Sequence, residues 1–278
     1  MTEDMYLYHI SNEEIYMTSS AHHSMMTGSL SAKSYVQNGL VGMWDGIENA
    51  GFGQHSENLT VWKNLGSNGS IHDASRISNS RATAWAANGA VCVQNDASYQ
   101  FIIPGRLMTD VMKGEWSYEL VFTPGSQWMN GQWSGIFGNH GGGLGPVGGQ
   151  NSPSAHNVEF VLYYPPTALC ILNYSSFSVG TCTCVSQAAS NTSHSATTWK
   201  DGSVVSSVTG VDVLLTHLGN DNTGNTCIGS SYNQGQAENG RTFDGTIHCV
   251  RVYNRPITSG EVAKNHVIDL KRFYGNAA

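Results

Sequence analysis

The sequence predicts an all-β fold, two antiparallel sheets packed as a sandwich, with one helix at the C-terminus and an arm at the N-terminus. Three observations predict it. From Gly39 onward, short apolar runs alternate with Gly, Asn, Asp and Ser at the spacing of strands and turns in a sandwich. Charged residues are only 12% of the 278, and Gly is abundant at 32 copies, a composition that suits turn-rich β structure. Only one segment, near the end, combines helical periodicity with a helix cap. The apolar fraction of 40%, with 7 Trp, 12 Tyr and 8 Phe, fills a sizeable core without disulfides.

Residues 1–36 stand apart from the sandwich of residues 37–278. They hold five of the nine Met residues, the pair His22 and His23, and no sustained periodicity. "SNEE", Ser11 to Glu14, is spaced to cap one short helix. The segment reads as an arm ordered by a neighbour, and so as an assembly contact. His22 and His23 read as solvated side chains, since no Cys or Asp lies close enough to complete a metal site.

In the body, "LVGMW" reads as the first strand, with Leu40, Gly42 and Trp44 on one face and Val41 and Met43 on the other, running into a turn at Asp45 and Gly46. Further strands are predicted at "GAVCVQ", "YQFIIP", "WSYELVF", "SGIFGN", "NVEFVLYY", "ALCILNY", "VDVLLTHLG" and "GTIHCVRVY". In "EWSYELVF", Trp116, Tyr118, Leu120 and Phe122 form a core face, and Glu115, Ser117, Glu119 and Val121 a mixed, solvated one. Asp201 and Gly202 in "TTWKDGSVV" mark a two-residue hairpin, because a type I′ turn needs positive φ at both central positions. Thr258 and Glu261 form a capping box, flanked by Ile257 and Val262 at the staple positions. Ala263, Val267, Leu270 and Tyr274 then trace the apolar stripe of the terminal helix.

Composition excludes several functions. A net charge of -7 offers no basic stripe for nucleic acid. No apolar run approaches the roughly 18 residues of a membrane span, and the first residues carry neither a basic n-region nor an apolar h-region of a secretory signal. The six cysteines, Cys92, Cys170, Cys182, Cys184, Cys227 and Cys249, sit in strand-like surroundings and read as free, mostly buried thiols. "GLGPVG", Gly143 to Gly148, fits a phosphate-loop pattern by letter, but Pro146 interrupts it and no helix follows, so it reads as a flexible glycine loop.

Taken together, "GLVGMWDGIENAG", "VWKNLG", "WSYELVF", "WKDGSVV" and "FDGTIHCVRVYNRPITSGEVAKNH" resemble the concanavalin A-like lectin/glucanase domains of the laminin-G-like kind. The resemblance covers about Gly39 to Phe273. Its most specific part is the ending, where Phe243, Asp244 and Gly245 lead into Arg251, Tyr253, Asn254, Arg255 and Glu261. It implies a jelly-roll arrangement of the two sheets. It leaves activity open among lectins, adhesion modules and glycoside hydrolases.

The hydrolase branch of such a family carries two glutamates flanking an aspartate on one strand. Here Glu115 and Glu119 are spaced for this, but Ser117 occupies the central position, so the sequence reads as non-catalytic, with a β-glucan hydrolase as the alternative. By resemblance, calcium is a candidate cofactor, held by Asp221 and Asn222 or by Asp45 and Asn49; the same residues also read as ordinary turn formers. For binding, "QWMNGQWSGIFGNHGGGLGPVGGQNSPSAHN" offers Trp128, Trp133, Asn139 and His140 as a carbohydrate site of flat aromatic faces and amides, with Trp128 the better candidate for exposure.

The function expected from this is a lectin-like surface protein that binds a glycan or a host cell surface. A lectin fold without an export signal suits a bacteriophage virion: a capsid decoration, head fibre or tail fibre whose arm docks on capsid or fibre proteins. The other options are a bacterial extracellular or cell-surface protein whose signal has been removed, a structural decoration module without glycan binding, and assembly as a homo-oligomer.

Overall fold

The structure, a computed structural model, describes residues 6–10, 13–17, 30–77, 85–93, 100–105, 107, 114–128, 134–138, 145–152, 157–163, 167–211, 226–230 and 242–274. In the arm, β1 (Tyr6–Ile10) and β2 (Glu13–Met17) pair antiparallel. The short helix expected at Ser11 to Glu14 is not formed, because Glu13 and Glu14 already belong to β2. Ile15 and Tyr16 pair there with Tyr8 and Leu7, and such β-branched and aromatic residues suit a ladder better than a helix.

The body contains β3 (Leu40–Asp45), β4 (Val61–Trp62), β5 (Ala74–Arg76), β6 (Trp85–Ala86), β7 (Gly89–Cys92), β8 (Phe101–Ile103), β9 (Glu115–Pro124), β10 (Phe137–Gly138) and β11 (Gly145–Ser152). It continues with β12 (Asn157–Tyr163), β13 (Thr167–Asn173), β14 (Thr183–Ser190), β15 (Ser195–Lys200), β16 (Ser203–Thr209), β17 (Thr226–Ile228), β18 (Gly245–Tyr253) and the helix α1 (Ser259–Arg272). One sheet runs β13-β12-β11-β10-β17-β8-β5-β4, the other β16-β15-β14-β9-β18-β7-β6, with β3 also pairing β18. The pairing within both sheets is antiparallel, and the chain is an all-β sandwich with one C-terminal helix. No helix among the described residues is long and apolar enough to cross a membrane.

The core lies between the sheets. Trp116, Tyr118, Leu120 and Phe122 of β9 are fully buried there, as their alternation predicts, and meet Phe101, Phe137 and Phe160 from the opposite sheet. Trp62, Trp85 and Phe101 pack with ring centroids 4.9 to 5.4 Å apart. The hairpin at Asp201 and Gly202 has φ of 48° and 78°, the positive values its turn requires. All six cysteines are free thiols, and burial pushes those of Cys92 and Cys182 up to about 12.

Three local expectations are corrected. The glycine-rich stretch from Gly145 is a strand, β11, held between β10 and β12; backbone pairing needs no side chains, and a register shift between Val147 and Gln150 absorbs the irregularity. In β3 the ladder shifts at Val41, because Leu40 pairs Tyr253 while Gly42 pairs Val252. Val41 and Trp44 therefore enter the inter-sheet core, while Leu40 and Met43 face outward. In α1 the buried residues are Val262, Ala263, Asn265, Ile268 and Asp269, and Leu270 is 41% exposed.

That last difference reflects a second buried layer on the outer face of the β9 sheet. The face expected to be solvated, with Ser117, Glu119 and Val121, is covered by α1 and by residues 30–36. The segment across Ala32 to Val36, assigned to the arm by sequence, is thus part of the body: Ala32, Tyr35 and Val36 are buried. The layer is apolar at its rim and ionic at its centre. Arg251, fully buried, donates from Nε to Glu119 at 2.6 Å and through both terminal nitrogens to Asp269 at 2.7 and 2.8 Å. Asn265 donates to Glu119 at 2.7 Å and accepts from the Val36 backbone at 3.0 Å. The Tyr35 ring lies 4.2 Å from the Arg251 guanidinium, and its hydroxyl donates to Asp269 at 2.7 Å. Every charge there is paired, which such burial requires.

Candidate functional site

Trp128, expected as an exposed platform, is fully buried. Its ring packs edge-on against Phe122, Phe177 and Phe243 at 5.2 to 5.7 Å, and its indole N–H donates to the Ser134 carbonyl at 3.2 Å. The reason is local: Gln127 donates its backbone N–H to Asp244, which turns the following tryptophan inward over β9. Trp133, Asn139 and His140 lie outside the described residues, as do Asp221, Asn222, His22 and His23.

Glu115 and Glu119 do not form a catalytic pair. Glu119 is 1% exposed, and its two oxygens are taken by Arg251, Asn265, Ser186 and Tyr253. Asp45 and Asn49 likewise do not gather around a cation. Arg272 holds Asp45 through two hydrogen bonds of 2.6 and 3.1 Å and reaches Glu48 at 3.0 Å, while the backbone N–H groups of Ile47 and Glu48 fill the rest of Asp45. The Asn49 side chain is engaged with the Ser56 backbone. A guanidinium already neutralises the carboxylates that a cation would need.

A concave site exists elsewhere on the body. It is a groove of about 220 Å³ on the outer face of the β9 sheet, between the β14–β15 hairpin and the turn that enters α1. Strand alternation builds one wall. Ser195, Thr197 and Trp199 share a face of β15, and their partners across the ladder, Ser190, Ala188 and Ser186, continue it on β14. The other wall is Pro256, Ile257, Thr258 and Ser259. Ser117 fixes it in place, accepting from the Ile257 N–H and donating to the Arg255 carbonyl, both at 2.8 Å. Trp199 and Ile257 give the groove buried apolar surface, and Ser190, Ser193, Ser195, Thr197, Thr258 and Ser259 line it with hydroxyls.

Two charged groups stand beside the groove with their partners. Glu115 lies at the hairpin end, where Oε1 accepts from Ser190 Oγ at 3.0 Å and from the Thr192 N–H at 2.9 Å. Partial burial alone would raise this carboxyl, but those hydrogen bonds outweigh it and hold it below the usual value. At the helix end, Arg255 binds Glu261 through two hydrogen bonds of 2.6 and 2.9 Å. None of the lining residues is charged. A hydroxyl-lined groove floored by a buried indole can donate and accept hydrogen bonds toward a polyol. The sequence displayed half of it, in the period-two run Ser195, Thr197, Trp199, but the second wall comes from the far end of the chain.

No protein-family model and no curated protein matches the chain by sequence. Solved structures match it by shape. It is similar to domain 4 of AbnA, a GH43 extracellular arabinanase from Geobacillus stearothermophilus, solved in complex with arabinotriose, at 16% identity and a TM-score of 0.55, over 82% of this chain and 98% of that one. It is also similar to Trypanosoma rangeli sialidase, at 16% identity and a TM-score of 0.52, over 86% of this chain and 34% of the sialidase, so it spans about a third of that enzyme's length. At these identities the likeness is one of fold. It nevertheless overturns the reading of the chain as a non-enzyme, because this fold is carried by parts of an arabinanase and a sialidase. The chain is a β-sandwich of the kind that carbohydrate-active proteins carry.

Proposed function

We propose that this chain is a glycan-binding sandwich domain of the concanavalin A-like type, and that it holds its ligand in the groove between the β14–β15 hairpin and the entry to α1. The observation that carries the reading is the lining of that groove: six hydroxyl side chains over Trp199 and Ile257, with no charged residue. Its volume of about 220 Å³ is below the roughly 300 Å³ at which drug-sized pockets begin, and suits one sugar residue of a longer chain. The likeness to a domain solved with arabinotriose supports the same reading. The setting proposed with it is the surface of a cell or a virion, with the β1–β2 arm as the side of attachment.

A glycan array tests this with the wild type and with Thr197→Trp, which fills the groove from its wall. Binding that disappears in the variant, at an unchanged thermal midpoint, is the expected result. The same oligosaccharides, incubated with wild type and scored for new reducing ends, read out whether binding is accompanied by cleavage. Hits that survive Thr197→Trp place the ligand elsewhere and sink the proposal.

A further inference from the structure

We infer that the groove selects neutral glycans and discriminates against sugars carrying a carboxylate, such as uronic or sialic acids. This rests on the groove being the glycan site. Recognition of a sugar carboxylate needs a cationic or strongly donating partner, above all an arginine able to make two parallel bonds. No lining residue supplies one.

Among the described residues, three cations beside the two walls are already engaged. Arg255, next to Pro256, has its terminal nitrogens on Glu261 at 2.6 and 2.9 Å and its Nε on the Asn38 carbonyl at 3.0 Å. Lys200, next to Trp199, is 2.5 Å from Asp201 in the hairpin turn. Arg251 is sealed beneath α1 between Glu119 and Asp269. The N-terminus of α1 gives no anion site either, because Glu261 closes the capping box there, accepting from the Thr258 N–H at 2.9 Å.

One carboxylate does act on the groove. Ser190 and Ser193 both line it, and Glu115 organises them: Ser190 Oγ donates to Glu115 and accepts from the Ser193 N–H at 3.1 Å. Because the Glu115 oxygen takes the Ser190 proton, that hydroxyl is left facing other partners mainly as an acceptor. It therefore suits the hydroxyl donors of a neutral sugar and disfavours an oxyanion, which brings only acceptors. The Glu115 charge adds like-sign repulsion, screened by salt.

The test compares a matched pair of probes, galactotriose and trigalacturonic acid, with lactose and sialyllactose as a second pair, on an array and by calorimetry near neutral pH. Neutral members are expected to bind at least about tenfold more tightly than their anionic partners. Glu115→Gln keeps an acceptor for Ser190 and Thr192 and removes the charge, so it should narrow that ratio to within about threefold, as should raising salt from about 0.02 M to about 0.5 M. Anionic probes bound equally well or better, and lost in Thr197→Trp, would overturn the selectivity while leaving the groove as the site. Hits that all survive Thr197→Trp, or no hits at all, would instead remove the groove reading and the selectivity with it. Should Thr197→Trp unfold, Ser193→Trp in the exposed turn makes the same block.

Discussion

Arg251 grips Asp269 through two parallel hydrogen bonds, Nη1 to Oδ1 at 2.8 Å and Nη2 to Oδ2 at 2.7 Å, with both side chains fully buried. The pair joins β18 to α1, and Glu119 of β9 completes it on the other side of the guanidinium. Removing the cation leaves two carboxylates buried against each other. Arg251→Met should therefore cost about 3–5 kcal/mol of stability, read as a drop in the urea midpoint. A midpoint within error of wild type would mean that the layer is solvated.

Acid should loosen the entry to α1. The Arg255 hydrogen bonds hold the Glu261 carboxyl down from its ordinary 4.5 to about 2, with the Thr258 contacts adding to this. A carboxyl depressed in the folded state contributes stability that is present above its unfolded value and lost as pH falls through its folded one. Between pH 4.5 and about 2, wild type should lose stability that Glu261→Gln has already lost. Denaturation midpoints of the two proteins should thus converge toward acid, and parallel curves would contradict the assignment.

Gly245 is the glycine of the "FDG" run, and its φ of +139° is one that side chains rarely adopt. A Cβ there would also run into the Thr123 carbonyl of β9 and stand 2.8 Å from the Gly125 nitrogen. Gly245→Ala should destabilise by at least about 2 kcal/mol. Gly260→Ala is the contrast, since a Cβ in that first turn of α1 meets nothing within 4 Å; it should stabilise by up to about 1 kcal/mol. Thermal melts of the two variants should shift in opposite directions.

Trp128→Ala should act on folding and leave recognition alone. The ring fills the space among Phe122, Phe177 and Phe243, so its removal should cost about 3–5 kcal/mol. The protein that remains folded should bind glycans as wild type does. Reduced affinity at full foldedness would return Trp128 to the binding site.

What the sequence made legible were features decided by neighbours along the chain. The core face of β9, the Asp201–Gly202 turn and the Thr258–Glu261 cap each depend on a few adjacent residues, and each is present as read. Features decided by distant partners were not legible. Asn265 and Asp269 look like solvent-facing helix residues until Arg251 lies beneath them, and periodicity alone runs the stripe through Leu270 instead. Gly145 to Ser152 looks like a loop until β10 and β12 flank it. The groove needs Thr197 and Thr258 side by side, and the glycine-rich context of Trp128 hides the three buried phenylalanines that meet its ring.

The layer over β9 also has a temporal meaning. Tyr35 bonds Asp269, Val36 bonds Asn265 and Asp45 bonds Arg272, contacts that span 234, 229 and 227 residues. Contacts of such long range form slowly, because nearly the whole chain must be closed into a loop before any of them is rewarded. On a ribosome, the partners of Tyr35 and Asp45, which are Asp269 and Arg272, emerge only after every strand of both sheets. The strands of the inter-sheet core are thus made before the cover over Arg251 and Glu119 can close. Residues 30–36 and α1 act together as a clasp, fastened only after both sheets have been made.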